Sequence, residues 1–293
     1  MRERAISSVG VVLVGLVPAL LGGPIFAATM AALCLVGYRE FLTMAGLIGT
    51  RPIASGYLAV PAFAVVAVAG WDGQGALGVV ALAVGLPLAI AVLRTGGQPD
   101  GTLVDWALGA AGSLYLGVPV AAAVAMRQTP GELDRAWLAD LAEALSFDQA
   151  WGTHPRGLAW LLLVVLVTWI GDTGAYLVGR AVGRRPLLPS ISPNKTVEGA
   201  LGGLAGSALV GGIGVAAFGL GVSPLLGAVL GAVLGALGQM GDLAESMMKR
   251  QAGVKDSGTF IRGHGGVLDR VDALLIALTA GWYATTMLDR LVR

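Results

Sequence analysis

The chain has 293 residues, of which 56% are hydrophobic and 13% are charged, and its mean hydropathy is +0.78. A single soluble core cannot enclose that much apolar surface, so a water-soluble globular domain is excluded. The net charge of +1 gives no reason to expect a nucleic-acid partner, and the single cysteine excludes an internal disulfide. Most of the chain is therefore expected to have lipid as its solvent.

Nine apolar runs are long enough for membrane-spanning helices, which need about 17 to 25 apolar residues each. Backbone groups in lipid must be satisfied within the segment, and these runs are too uniformly apolar for alternating barrel strands. The predicted fold is all-α, a polytopic integral membrane helical bundle of about nine transmembrane helices. The predicted spans are 5–22, 25–47, 54–70, 76–94, 104–126, 157–179, 200–220, 222–241 and 268–287.

The distribution of Lys and Arg predicts the orientation, because cytoplasmic loops carry the excess of these residues. With a cytoplasmic N-terminus, thirteen of the 19 Lys and Arg residues fall on the cytoplasmic side and five on the other. This predicts a multi-pass protein of the cell (plasma) membrane. The first span follows the charged residues 1–4 and is interpreted as an uncleaved anchor, with a cleaved signal peptide as the alternative.

The long polar connection 127–156 divides the chain. Its apolar residues recur at helical spacing, which predicts a short amphipathic helix on the outer surface. The spans before this connection carry few polar groups, whereas polar clusters repeatedly interrupt the apolar pattern after it. The expected organisation is N-terminal transmembrane helices over 1–126, an extracytoplasmic polar loop over 127–156, and a C-terminal transmembrane region over 157–293 in which the chemistry resides.

The first polar cluster begins at Asp172, well inside an apolar run. An ionisable group at such a position is by default a functional-site hypothesis. A purely structural pairing with a neighbouring helix is the alternative interpretation.

The second polar cluster covers 190–199 and leads into the seventh span. Pro193 suits the turn before a helix, Ser192 or Asn194 is a candidate cap, and Thr196 follows them. A helix N-terminus beside Lys195 suits a phosphate group. An ordinary capped loop explains the same residues and stays open as an alternative.

The third cluster runs from Asp242 to Asp272 and contains carboxylates and cations in nearly equal number. Helical spacing places carboxylates on one face at the end of the eighth span and on one face at the start of the ninth. Hard oxygen ligands beside Lys and Arg predict Mg²⁺ with a triphosphate. Gly265 and Gly266 leave room for a phosphate to approach the backbone, and His264 is a candidate donor or loop support.

Three glycines, Gly227, Gly231 and Gly235, recur every four residues along the eighth span. Such a stripe lets two helices approach closely. It is expected to hold Asp242 in place without touching a substrate.

The third cluster resembles the signature of CDP-diacylglycerol synthases, also called phosphatidate cytidylyltransferases. The matching residues are Ser246, Lys249, Arg250, Lys255, Asp256, His264, Gly265, Gly266, Asp269, Arg270 and Asp272. The stretches 172–180 and 192–199 resemble the family's upstream blocks, whereas the first half of the chain is similar only in being hydrophobic. Arg262 departs from the family pattern, which has proline or glycine at that position.

The resemblance implies transfer of CMP from CTP to phosphatidate in the membrane, giving CDP-diacylglycerol and pyrophosphate. It implies Mg²⁺ held by Asp242 and Asp269, with a second cation such as K⁺ left open. The implied catalytic residues are Asp172, Lys195, Lys249, Arg250, Lys255, Asp256, His264, Arg270 and Asp272. The implied substrate-binding residues are Ser192, Asn194, Lys195, Thr196, Ser246, Lys249, Arg250, Gly265 and Gly266.

Two other functions stay open on the sequence alone. A related membrane CTP-dependent lipid transferase or kinase, such as an isoprenoid-alcohol kinase or a CDP-archaeol synthase, would share much of the polar cluster. An ion-coupled transporter would use Asp172 in an ion pathway, but the carboxylate pattern does not repeat in the first half. The oligomeric state is also open, with a homodimer as one alternative.

Overall fold

The structure, a computed structural model, describes residues 13–94, 101–135, 137–138, 140, 144, 154–260 and 265–292. It confirms the all-α prediction apart from one short hairpin of two strands, β1 (Pro186–Leu188) and β2 (Ser192–Thr196). Residues 13–21 are helical and precede the first complete helix. The complete helices are α1 (Gly23–Leu47), α2 (Gly56–Val68), α3 (Gly73–Arg94), α4 (Thr102–Arg127), α5 (Pro155–Val182), α6 (Val197–Ala217), α7 (Pro224–Gln251) and α8 (Leu268–Val292).

Seven of the described helices are long and apolar enough to cross a membrane, namely α1 and α3 to α8. They coincide with seven of the nine predicted spans. The predicted span 5–22 is described only from residue 13, and α2 is shorter than the span predicted at 54–70. The 13 residues of α2 make a helix about 20 Å long, whereas the hydrocarbon layer is about 30 Å thick.

The start of α2 is delayed because the chain before it is tied to α4. The backbone N–H of Arg51 donates to the Asp105 carboxylate at 2.7 Å, and the N–H of Ile53 donates to the Asp105 carbonyl at 3.3 Å. The helix ends at a turn in which Gly70 has a φ of +99°, a conformation that suits glycine. The contact with Asp105 at one end and the turn at Gly70 at the other thus make the helix shorter than the apolar run.

Helix α7 is longer than its predicted span 222–241, because it continues to Gln251. The added stretch is rich in Leu, Ala, Glu, Met, Lys and Arg, which are strong helix formers. A change from apolar to polar sequence marks the end of a membrane span but does not by itself end a helix.

The chain divides into two compact units. One contains Met1–Ala125 with Met248–Val271, and the other contains Met126–Met247 with Asp272–Arg293. Helices α7 and α8 therefore contribute residues to both. The segment Met248–Val271, which carries much of the third polar cluster, belongs to the same unit as the N-terminal helices.

The unit with the N-terminal helices is built around large aromatic side chains that face glycines. Tyr38 of α1 is fully buried, and its hydroxyl donates to the Ile53 carbonyl and accepts from the Gly56 N–H, both at 3.1 Å. A Cβ at Gly56 would collide with the Tyr38 ring, and a Cβ at Gly117 would collide with Phe63. Glycines at these positions let the helices pack closely.

The other unit uses small residues in the same way, and the predicted glycine stripe of α7 is confirmed. A Cβ at Gly227 would collide with the carbonyl of Gly211, one at Gly231 with the carbonyl of Ser207, and one at Gly235 with the Ser207 side chain. The Ser207 hydroxyl itself donates to the Val167 carbonyl of α5 at 3.0 Å. Helices α5, α6 and α7 thus pack against one another almost backbone to backbone.

The polar connection 127–156 is described in part. Its residues 137, 138, 140 and 144 are helical, as the sequence predicts for this stretch. Leu138 is buried, and the Trp137 indole N–H donates to the Ala217 carbonyl at the end of α6 at 3.3 Å. This part of the connection is therefore packed against the unit to which it belongs.

Candidate active site

Asp269, in the first turn of α8, accepts four hydrogen bonds. Its Oδ1 accepts from the Lys249 ammonium at 2.7 Å. Its Oδ2 accepts from the Ser257 N–H at 2.9 Å, the Ser257 hydroxyl at 2.9 Å and the Gly266 N–H at 2.8 Å. The side chain is only 9% exposed. Asp269 thus fixes the loop between α7 and α8 to the start of α8.

Two glycines of this loop face protein side chains. Gly265 has a φ of +84°, and a Cβ there would lie 2.6 Å from Oδ2 of Asp269. A Cβ at Gly266 would collide with the Ser257 hydroxyl and would lie 2.5 Å from Oε2 of Glu40. The space beside both glycines therefore belongs to hydroxyl and carboxylate groups of the loop and of α1. The phosphate contact expected of these glycines stays a prediction.

Glu40 of α1 is a polar site residue that sequence reasoning missed. It is 7% exposed and accepts from the N–H groups of Val267 at 3.0 Å and Leu268 at 2.9 Å, and from the Ser257 hydroxyl at 3.1 Å. An ionisable residue inside an apolar span is itself a signal of function. The rule that singled out Asp172 applies equally to Glu40.

In the other unit, Lys195 and Asp242 form an ion pair. The Lys195 ammonium lies 2.5 Å from Oδ2 of Asp242, and both side chains are about one-third exposed, at 31% and 30%. Asp172 of α5 has an exposed side chain and interacts electrostatically with both Asp242 and Lys195. The predicted first and second clusters therefore meet the start of the third around one lysine and two carboxylates.

The segment that carries Lys195 differs from its prediction. Ser192–Thr196 is a strand paired antiparallel with Pro186–Leu188, and neither Ser192 nor Asn194 caps α6. The cap is Thr196, whose hydroxyl accepts from the Gly199 N–H at 3.1 Å. The hairpin keeps the chain extended through residue 196, so the first position able to cap is Thr196. Its use as a cap also gives this predicted substrate ligand a structural role.

The position of Asp242 on α7 is set by close contact with α8. A Cβ at Gly241 would meet the carbonyl oxygen of Asp272 at 2.5 Å, and one at Gly238 would be in ordinary contact with Ala273. The Ser246 hydroxyl, one turn further along α7, lies 3.5 Å from Oδ1 of Asp242. The absence of side chains at these glycines thus brings this part of α7 against Asp272 and Ala273 of α8, which belong to the same unit.

The chain matches the cytidylyltransferase family over residues 2–288. It belongs to this family. The match extends the resemblance seen in the polar clusters to nearly the whole chain, including the helix that carries Glu40.

Several relatives are named phosphatidate cytidylyltransferase. The one from Staphylococcus saprophyticus is 43% identical over 134 residues, which is 46% of this chain and 52% of that protein. The one from Staphylococcus aureus strain COL is 47% identical over 128 residues, or 43% of this chain and 48% of that protein. The one from a Synechocystis species is 46% identical over 134 residues, or 46% and 45% of the two chains. The chain thus spans about half the length of the curated relatives it matches.

The other residues predicted to act in catalysis or substrate binding differ in their contacts and exposure. Arg250 donates to the Val254 carbonyl at 3.3 Å and so supports the end of α7, while Lys255, Asp256 and Arg270 have exposed side chains. His264 and Arg262 lie outside the described residues. Their predicted roles are therefore carried forward as predictions.

The carboxylates fit the hard-oxygen preference of Mg²⁺, which binds through one or two carboxylates and completes its shell with water and substrate phosphates. Among the residues that the structure describes, no group of three or more His, Cys, Asp and Glu side chains is arranged to hold a metal ion. Asp242 and Asp269 each have a lysine at contact distance instead. Each carboxylate is thus already matched to a cation, and Mg²⁺ binding at these aspartates stays a prediction.

Proposed function

We propose that this member of the cytidylyltransferase family transfers CMP from CTP to phosphatidate, giving CDP-diacylglycerol and pyrophosphate. The observation that carries the proposal is the arrangement around Asp269. Within the stretch that carries the family signature, Lys249 at the end of α7 and the Ser257 and Gly266 groups of the following loop all bond that carboxylate. The names of the relatives agree with this choice of nucleotide and lipid.

The reaction is an in-line displacement at the α-phosphorus of CTP. A phosphate oxygen of phosphatidate forms the new bond to this phosphorus as the bond to the bridging oxygen breaks, and that electron pair leaves with pyrophosphate. A phosphate monoester has a second pKa of about 6 and is largely anionic at neutral pH, so no protein group has to remove a proton. The protein's task is to position the two anionic substrates and neutralise their charge.

Lysine and arginine side chains supply most of that neutralisation from the protein. Lys249 is held by Asp269 at 2.7 Å and Lys195 by Asp242, so each ammonium has a fixed place near a carboxylate. Arg250 and the exposed Lys255 lie at and just beyond the end of α7. These four residues are the proposed phosphate ligands, and Asp172 interacts electrostatically with Lys195.

Bound Mg²⁺ would supply further charge neutralisation on the triphosphate. Asp242 and Asp269 are the residues proposed to hold it. A requirement for a second cation such as K⁺ is tested by omitting K⁺ from the assay.

The proposed location is the plasma membrane, with the loops 180–198 and 242–270 facing the cytoplasm. The Lys and Arg distribution supports this orientation, and CTP is a cytoplasmic solute. Phosphatidate lies in the leaflet with its head group at the interface, where basic loops attract it. Single cysteines placed in these loops in a Cys34→Ser background test the orientation. Their labelling by an impermeant reagent from outside intact cells would contradict it.

The activity is tested with protein purified in detergent, Mg²⁺ and CTP labelled in cytidine. Lipid-soluble label should form with phosphatidate and should be absent without it or with an isoprenoid alcohol in its place. If a folded sample transfers label neither to phosphatidate nor to the isoprenoid alcohol, the proposal is overturned. Light scattering on the same sample separates a monomer from a homodimer.

A further inference from the structure

Glu40 connects helix α1 to a loop more than two hundred positions away in the sequence. Its Oε1 accepts from the Val267 N–H, and its Oε2 accepts from the Leu268 N–H and the Ser257 hydroxyl. The separations are 227, 228 and 217 residues. All of these residues belong to the same compact unit. One buried carboxylate therefore holds the end of the signature loop at Val267 and at Leu268, the first residue of α8.

The same carboxylate fills the space that two glycines leave open. A Cβ at Gly258 would lie 2.5 Å from Oε1 of Glu40, and a Cβ at Gly266 would lie 2.5 Å from Oε2. Gly258 and Gly266 are on the two sides of the loop, one near its start and one near its end. Gly258 and Gly266 thus both pack against the Glu40 carboxylate, one on each of its oxygens.

Ser257 links Glu40 to Asp269. Its hydroxyl lies 3.1 Å from Oε2 of Glu40 and 2.9 Å from Oδ2 of Asp269. A hydroxyl has one proton and can donate to only one acceptor at a time. The two carboxylates therefore share a single donor, and the position of each depends on the other through it.

We infer that Glu40 is a positioning residue for the active site, acting through Ser257 and the loop backbone to fix the Asp269 carboxylate and the Lys249 ammonium paired with it. The inference rests on the proposed function, because it assigns Glu40 a role in that reaction. Glu40 itself touches none of the reacting groups. Its contribution is to hold the loop in the geometry in which Asp269 meets the nucleotide phosphates and their metal ion.

The chemistry of the contacts explains why a carboxylate is needed. Both Glu40 oxygens face donors, namely two backbone N–H groups and one hydroxyl. Glutamine has nearly the same shape, but it has one acceptor oxygen and would direct its NH₂ group at a donor. Glu40→Gln therefore perturbs the hydrogen bonds while leaving the volume of the buried site unchanged.

The test compares Glu40→Gln, Ser257→Ala and their double variant with Tyr38→Phe. Tyr38 is the matched control, because it is buried on the same helix and makes two hydrogen bonds within the same unit, but it bonds Ile53 and Gly56 and not the loop. For each variant we would measure kcat, KM for CTP and KM for phosphatidate. The rate of trypsin cleavage at the exposed Lys255 is a second readout that requires no activity.

Glu40→Gln should lower kcat about tenfold or more while KM for phosphatidate stays near the wild-type value. Ser257→Ala should have a smaller effect, and the double variant should resemble Glu40→Gln because the two residues act through one contact. Cleavage at Lys255 should be faster in Glu40→Gln and unchanged in Tyr38→Phe.

Wild-type kcat in folded Glu40→Gln would overturn the inference and leave the proposed function standing. If Glu40→Gln does not fold, wild-type kcat in Ser257→Ala has the same meaning. An inactive wild-type protein would remove the proposed function instead. In that case equal cleavage rates in Glu40→Gln and Tyr38→Phe would still contradict the positioning role.

Discussion

Asp242 and Asp269 are both proposed as metal ligands, yet their surroundings differ. Asp269 is 9% exposed and receives four hydrogen bonds, three of them from the loop that precedes it. Asp242 is 30% exposed, and its strongest partner is Lys195, with a longer contact to Ser246. Asp269 thus stabilises the loop and helix start of its unit, whereas Asp242 lies at an accessible position on a helix.

This contrast teaches that one function can place different structural demands on its residues. A carboxylate that holds a loop affects folding as well as chemistry. A carboxylate whose main partner is a lysine about one-third exposed affects chemistry alone, because such an ion pair contributes only about 0 to 1 kcal/mol to stability. Measurements of stability and turnover on the same variants can separate these two situations.

The largest expected effect is that of neutralising either carboxylate. Asp242→Asn and Asp269→Asn should each reduce turnover by on the order of a hundredfold or more, because each removes a charge that a divalent ion needs beside a triphosphate. Asp269→Asn should also be less stable by about 1 to 3 kcal/mol, since its NH₂ group would face donors. Mg²⁺-dependent turnover and thermal unfolding in detergent measure both properties.

For these two variants, near-normal turnover in either one would remove its role as a metal ligand. Equal melting temperatures would contradict the difference in structural role between the two aspartates.

A smaller effect is expected from removing the paired lysines. Lys249→Gln and Lys195→Gln should each lower kcat/KM for CTP about tenfold, because each removes a cation near the phosphates. The stability loss should be larger for Lys249, whose side chain is 12% exposed against 31% for Lys195. Urea titration of the two variants compares their stabilities. A greater loss in Lys195→Gln would reverse the ranking that burial predicts.

The smallest effect tests the loop beside Asp269. Gly265→Ala and Gly253→Ala both place a side chain at a positive φ, at +84° and +71°. A Cβ at Gly265 meets the Asp269 carboxylate, whereas a Cβ at Gly253 has nothing within 4 Å. Both should lose about 1 kcal/mol of stability from backbone strain, but only Gly265→Ala should lose turnover, about severalfold. Equal turnover in the two would show that the geometry at Asp269 tolerates the added methyl group.

Much of the fold follows from the sequence because lipid leaves few structural options. Seven apolar runs become long helices where the sequence predicts them, and the stripe at Gly227, Gly231 and Gly235 packs as expected. The exceptions arise from specific contacts. Asp105 ties down the chain before α2, and pairing with β1 keeps residues 192–196 extended. Neither contact has a signature in local composition.

Site residues could be predicted where the residue type and its immediate sequence neighbours were enough to single them out. Asp172, Lys195 and Asp242 stand out individually as charged groups near apolar runs, and the structure brings them together. The same rule applies to Glu40, which sequence reasoning missed, and the partners of Glu40 are more than two hundred residues away. Its meaning depends on the fold, since only the packed unit shows which backbone N–H groups it satisfies.

The proposed reaction transfers a cytidylyl group from CTP to lipid. It is tested most directly by following radioactive labels placed at different phosphates of CTP. Wild-type protein with phosphatidate and Mg²⁺ should move label from the α-phosphate of CTP into lipid. Label at the γ-phosphate should be released as pyrophosphate. Transfer of the γ label to lipid would show a kinase reaction, and lipid label from neither position in folded protein would contradict the account.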